Sequence, residues 1–114
     1  MTHIETIGGR PITVDRTPLG GVRVFRRIGQ NHGAYLIFDV ADVPRVARAI
    51  LEFVEADRAG LITSLTLQSG PLVIDRAGGY LRLSRPDGRK EPWLSMTDAT
   101  ACDVALAMLS ELEQ

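Results

Sequence analysis

Cysteine and lysine are almost missing from this chain. Cys102 and Lys90 are single occurrences in 114 residues. A lone cysteine excludes an internal disulfide and a thiolate zinc cluster, and this usage fits a cytoplasmic setting. Arginine takes the place of lysine, since Lys90 is one of 13 basic residues. That skew is the mark of a GC-rich genome, such as that of an actinobacterium or its phage, rather than of a chemistry. Histidine is confined to His3 and His32, too far apart in the chain to suggest a metal site. The longest apolar run, Ala34–Val43, is broken by Asp39 and Asp42 and is too short to span a membrane. The N-terminal stretch MTHIETIGG lacks a basic region followed by an apolar one, so no signal peptide is expected. There is no excess of charge either. A net charge of −1 argues against a strong nonspecific polyanion binder.

Catalytic patterns are also lacking. Ser69, Ser84, Ser95 and Ser110 sit in no nucleophile elbow. The glycine pairs lack the lysine and spacing of a phosphate loop. Cys102 falls near the apolar edge of an expected helix, where a small buried hydrophobe fits better than a nucleophile. Asp42, Asp57, Asp98 and Asp103 read as helix caps and solvated faces. No enzyme, metal or cofactor is expected.

What the sequence does contain is a duplication. PITVDRTPLGGV, from Pro11 to Val22, returns as PLVIDRAGGY, from Pro71 to Tyr80. Pro11 matches Pro71, Asp15 matches Asp75, and Arg16 matches Arg76. Val22 and Val24 then match Leu81 and Leu83, with Arg23 against Arg82. From Tyr35 and Trp93 onward the two halves align without a gap through Leu51 and Leu109. Internal repeats take precedence over motifs in deciding architecture. The reading is one domain over 1–114, with repeats at about 1–59 and 60–114.

Each half predicts four strands and a helix. First strands are expected at His3–Ile7 and Leu61–Gln68, and second strands at Ile12–Arg16 and Leu72–Arg76. Third strands follow at Val22–Ile28 and Tyr80–Arg85, then fourth strands at Ala34–Val40 and Glu91–Met96. Period-two alternation and glycine-bearing turns carry these assignments. The first helix starts near Asp42, with Pro44 tolerated in its first turn, and Gly60 ends it. Its apolar stripe is Val43, Val46, Ala47, Ile50, Leu51 and Val54. The second helix begins near Thr97–Thr100, with the stripe Ala101, Val104, Ala105, Met108, Leu109 and Leu112. The fold class is α+β, ββββα-ββββα.

Alternation then assigns faces. Ile12, Val14, Val22, Val24, Leu36 and Phe38 point inward, as do Leu72, Ile74, Leu81, Leu83, Leu94 and Met96. Thr13, Asp15, Arg23, Phe25, Arg27, Tyr35, Ile37 and Asp39 point outward. So do Val73, Asp75, Tyr80, Arg82, Ser84, Glu91, Trp93 and Ser95. Arg16 and Arg76 fall at inner strand ends. Rings and guanidinium groups on an open sheet suit single-stranded DNA or RNA, because every base offers a π-face. The candidate binding residues are Arg23, Phe25, Arg27, Tyr35, Tyr80, Arg82 and Trp93.

The order of elements, with GGYLRLSRPDGR followed by PWLSMTDATACDVALAMLSEL, resembles the PUR repeat family. More loosely it resembles the Whirly-like single-stranded DNA-binding fold. The resemblance implies two intertwined repeats, each a curved antiparallel sheet crossed by a helix. It also implies sheets that bind single-stranded nucleic acid, often as a dimer, in a regulatory role. The second strands depart from the PUR pattern, offering Thr13 and Asp15 or Val73 and Asp75 in place of basic and aromatic residues.

Two other readings stand beside it. Asp15 with Arg23, and Asp75 with Arg82, read equally as cross-strand ion pairs that stabilise a sheet. Exposed apolar residues on such a face also suit a protein partner, such as a host protein met by a regulatory factor, or a second copy in a homodimer.

Overall fold

The computed structural model describes residues 1–6, 9–27, 33–56, 62–86 and 93–113. It has two four-stranded antiparallel sheets, each followed by a helix. The first sheet holds β1 (Thr2–Ile4), β2 (Ile12–Arg16), β3 (Gly21–Arg27) and β4 (Gly33–Asp39), in that spatial order. A short 3₁₀ turn, Val40–Asp42, leads into α1 (Val43–Ala56). The second sheet holds β5 (Thr63–Leu67), β6 (Gly70–Ala77), β7 (Tyr80–Ser84) and β8 (Leu94–Met96), and α2 (Asp98–Glu111) closes the chain.

Several expected bounds shift. β1 is shorter than His3–Ile7, and Ile7 itself lies outside the described residues. β5 starts at Thr63 rather than Leu61, which is also outside them. So are Ile28, His32, Asp57, Gly60 and Glu91. The meander turns follow the local chemistry. Gly78 and Gly79 take φ values of 60° and 86°, the pair of positive angles that a two-residue hairpin turn needs. Between β2 and β3, Gly20 has φ 91°, and the Thr17 hydroxyl accepts from the Gly21 N–H at 2.9 Å.

Every position expected to face inward is buried, from Ile12 and Val14 in β2 to Leu94 and Met96 in β8. The helices bury more than one stripe. Ala49 and Phe53 join the core in α1, while Leu51 and Val54 lie at its edge. In α2, Thr100, Ala107 and Glu111 are buried, with Leu109 and Leu112 peripheral. Cys102 is half-buried. The wider buried sector has a cause: α1 and α2 pack on each other as well as on the sheets.

The repeats exchange their contacts. Helix α2, from the second repeat, packs on β1 and β2 of the first sheet. Helix α1 reaches the second sheet in turn, where Arg45 donates to the Thr66 carbonyl at 2.8 Å. At the inner strand ends, Arg16 donates to the Glu111 carbonyl of α2 at 3.2 Å. Its counterpart Arg76 sits 5.3 Å from the Phe53 ring of α1 and forms a bidentate pair with Asp98. Phe53 and Glu111 are themselves equivalent positions, so the two contacts are reciprocal.

Arg26 and Arg85 make a second reciprocal set. Arg26 donates to the Ser95 carbonyl on edge strand β8 at 2.8 Å. Arg85 donates to the Ile37 carbonyl on edge strand β4 at 2.7 Å, and to Ser69 and Pro71 carbonyls at 2.9 and 3.2 Å. Each repeat thus engages a carbonyl on the last strand of the other, tying the two sheets together. Burial holds the pKa of Arg26 below the ordinary arginine value.

Asp42 corrects an expectation. It is no solvated cap but is 6% exposed, and its carboxylate accepts from the N–H groups of Gln68 and Ser69 and from the Ser69 hydroxyl, at 3.2, 3.0 and 2.7 Å. Burial works against its charge. The hydrogen bonds from Ser69 and Gln68, with Arg45 nearby, outweigh that and hold its carboxyl below the usual range. Asp98 likewise departs from a simple cap, since it faces Arg76.

Candidate functional site

The outer face of the first sheet gathers His3, Thr13, Phe25 and Tyr35 into one cross-strand row. Strand register pairs His3 with Thr13, Thr13 with Phe25, and Phe25 with Tyr35. His3 Nδ1 lies 3.0 Å from Thr13 Oγ1, which fixes the imidazole at the start of the row. The Phe25 ring lies over Gly33, where any Cβ would collide with it. Glycine at the head of β4 therefore lets this ring lie down on the sheet. Tyr35 is 48% exposed.

Three arginines flank the row differently. Arg23 is bound to Asp15 through Nε at 3.0 Å and Nη2 at 2.6 Å, and its guanidinium stands 5.3 Å from the Phe25 ring centre. The hydrogen bond to Asp15 raises the Arg23 pKa above the ordinary arginine value. Arg27 and Arg10 line a pocket of about 310 Å³ with His3, Thr13 and Phe25. Their side chains have no hydrogen bond or ion pair among the described residues. The unneutralised charge of this face therefore sits at the Arg10–Arg27 end.

At the opposite end of the row exposed apolar side chains stand beside Arg16, Arg23 and Asp39. A groove of about 860 Å³ runs between the β2–β3 turn and β4, lined by Leu19, Tyr35 and Ile37 among others. Leu19 is 99% exposed at its rim.

The second sheet presents a different outer face. Asp75 and Arg82 repeat the bidentate pair at 2.9 and 2.7 Å, and Asp75 raises the Arg82 pKa. The position of Phe25 is taken by Ser84, and that of Thr13 by Val73. Tyr80 and Trp93 are 51% and 58% exposed, but Tyr80 lies beside the β6–β7 turn and Trp93 just before β8.

The sequence-predicted residues thus divide. Arg23, Phe25, Arg27 and Tyr35 share one face, while Tyr80, Arg82 and Trp93 belong to the other sheet. Alternation along β1 would have added His3, and Arg10 follows from its place one residue before Pro11. Among the described residues, no group of three or more His, Cys, Asp or Glu side chains is arranged to hold a metal ion. No described helix is long and apolar enough to cross a membrane. No known protein family and no curated protein matches the chain.

Proposed function

We propose that this protein is a non-enzymatic binder of single-stranded nucleic acid, and that the outer face of its first sheet is the binding surface. The observation that carries the reading is the row His3–Thr13–Phe25–Tyr35 with Arg10 and Arg27 beside it. Exposed rings on a sheet offer stacking surfaces for successive bases, worth about 1–3 kcal/mol per base. Guanidinium groups without a carboxylate partner can meet phosphates. Arg23 has a different part. Tied to Asp15, it stiffens the face and stacks beside Phe25 rather than supplying net charge. The second sheet, with Ser84 in place of Phe25 and its arginine paired, is scaffold in this reading.

Fluorescence anisotropy with labelled single-stranded DNA and RNA oligonucleotides tests the proposal. Binding weakens with added salt. Arg27→Ala and Tyr35→Ala each reduce it about tenfold, while Arg82→Ala leaves it nearly unchanged. A folded protein that binds neither oligonucleotide at low salt refutes the reading.

A second reading has its own support in Leu19, which stands almost fully exposed beside Tyr35 and Ile37. In it the protein is a regulatory interaction module whose groove, apolar at Leu19, Tyr35 and Ile37, receives a partner protein. A pull-down from a GC-rich host lysate separates the two: Leu19→Asp abolishes capture of a protein partner but leaves oligonucleotide binding intact.

A further inference from the structure

The two repeats differ at one pair of equivalent places, and the difference leaves a cavity. In one half, Asp42 inserts its carboxylate under the β5–β6 turn, where Gln68 and Ser69 donate to it. Arg85 lies beside that turn, donating to the Ser69 carbonyl. The equivalent of Asp42 in the other half is Thr100, the equivalent of Ser69 is Gly9, and the equivalent of Arg85 is Arg26. Gly9 lacks the side chain of Ser69, and Thr100 has the bulk of Asp42 but neither its carboxylate nor its reach. What results is a cavity of about 220 Å³, lined by Arg26, Gly9 and Thr100 together with Tyr80, Ser95 and Thr97.

The chemistry of its wall is one-sided. Among the described residues the lining has a cation and several hydroxyls but no carboxylate. Arg26 spends one donor on the Ser95 carbonyl. Its Nε is buried with no hydrogen-bond partner, and no ion pair neutralises the guanidinium among the described residues. The 14-residue helix α2 begins here. Thr97 caps it by accepting from the Thr100 N–H at 3.2 Å, and the first helical N–H groups, of Asp98 and Ala99, have no intrahelical acceptor. The one acidic side chain of that turn, Asp98, is engaged by Arg76.

We propose that this cavity binds a phosphate-sized oxyanion, which takes the place that the Asp42 carboxylate holds in the other repeat. Arg26 supplies the charge, and the start of α2 supplies donors and a favourable dipole. The molecule itself furnishes a comparison, because the equivalent place in the other repeat contains an anion, the Asp42 carboxylate, held there by Gln68 and Ser69 donors. The inference is independent of the role given to the first sheet. Free phosphate and the terminal phosphate of a nucleic-acid strand share the required chemistry.

The test is a titration of the full chain with inorganic phosphate, against chloride at matched ionic strength, followed by ¹⁵N–¹H spectra and thermal melting. Saturable shifts at Gly9, Asp98, Ala99 and the Arg26 Nε–H are expected, with a Tm that rises with phosphate. Thr100→Asp restores the internal carboxylate, so it raises the Tm without phosphate and abolishes the saturable shifts. Arg26→Gln keeps a donor for the Ser95 carbonyl but loses the charge, and weakens phosphate binding about tenfold. Tyr35→Ala leaves phosphate binding unchanged, which separates this site from the sheet face. A 5′-phosphorylated oligonucleotide that outcompetes its 5′-hydroxyl form assigns the site to a strand end; equal competition assigns it to the free anion. Absence of saturable shifts beyond those of chloride, or shifts that persist in folded Thr100→Asp, overturns the proposal.

Discussion

Arg26 and Arg85 reach out of their own sheets in opposite directions, each donating to a carbonyl on the last strand of the other repeat, at 2.8 Å to Ser95 and 2.7 Å to Ile37. They are equivalent residues, and so are their acceptors. The exchange ties the two sheets together. It also sets up an unequal pair. Arg85 makes further bonds to Ser69 and Pro71 and lies 5.2 Å from the Phe38 ring centre, whereas Arg26 makes the one bond.

That inequality predicts different costs. Arg85→Ala destabilises the fold by about 2–3 kcal/mol, because several carbonyls lose a charged donor at once. Arg26→Ala costs less, about 1 kcal/mol, since removing its partly buried charge offsets the lost bond. Urea unfolding followed by circular dichroism measures both. Equal costs would show that the extra bonds of Arg85 contribute nothing.

Asp42 predicts an acid-labile joint between the repeats. Its folded carboxyl titrates below the ordinary value of 3.8, so its stabilisation is fully present above that value. It is lost as pH falls through the lower, folded value. Asp42→Asn therefore unfolds more easily than the parent at neutral pH, by about 1–3 kcal/mol. The gap between the two narrows as pH drops below the ordinary carboxylate range. Denaturation midpoints measured across the acid range check this, and a constant gap would contradict it.

The two outward Asp–Arg pairs predict unequal effects on binding and little effect on stability. Each joins a partly exposed arginine to its cross-strand neighbour, and such pairs contribute about 1 kcal/mol or less. Asp15→Ala releases Arg23 next to Phe25, so oligonucleotide affinity rises and its salt dependence steepens. Asp75→Ala on the second sheet leaves affinity nearly unchanged. A parallel rise in both variants would move the surface away from the first sheet.

Gly33 predicts a structural handle on the same face. Gly33→Ala forces the Phe25 ring off the sheet, because the new Cβ occupies the place of the ring edge. Oligonucleotide binding falls severalfold while the melting temperature changes little, since Phe25 is only half-buried. Loss of folding without a prior loss of binding would count against a stacking role for this ring.

Much of the architecture was legible in the chain. The duplicated Pro-to-Gly stretches gave the repeat, and alternation in β2, β3 and β4 sorted Val22, Val24 and Leu36 from Arg23, Phe25 and Tyr35. It also placed Asp15 opposite Arg23, so the ion pair followed from pattern alone. What escaped was everything that depends on the other repeat. Arg26 and Ser95 are 69 residues apart, and Asp42 and Ser69 are 27 apart. Local periodicity carries no information about such partners. Hence Asp42 read as a cap. On the site, alternation identified outward rings in both repeats but could not rank one face above the other. The expected sheet per repeat already separates Tyr80 and Trp93 from Phe25 and Tyr35, and the structure has those two sheets.

The central claim is that the first sheet, and not the second, is the binding face. Titrating a ¹⁵N-labelled sample with a single-stranded oligonucleotide tests it residue by residue. Shifts are expected at His3, Thr13, Phe25, Arg27 and Tyr35, with Val73, Arg82 and Ser84 left unmoved. Shifts centred on the second sheet, or none at all from a folded protein at low salt, would contradict it.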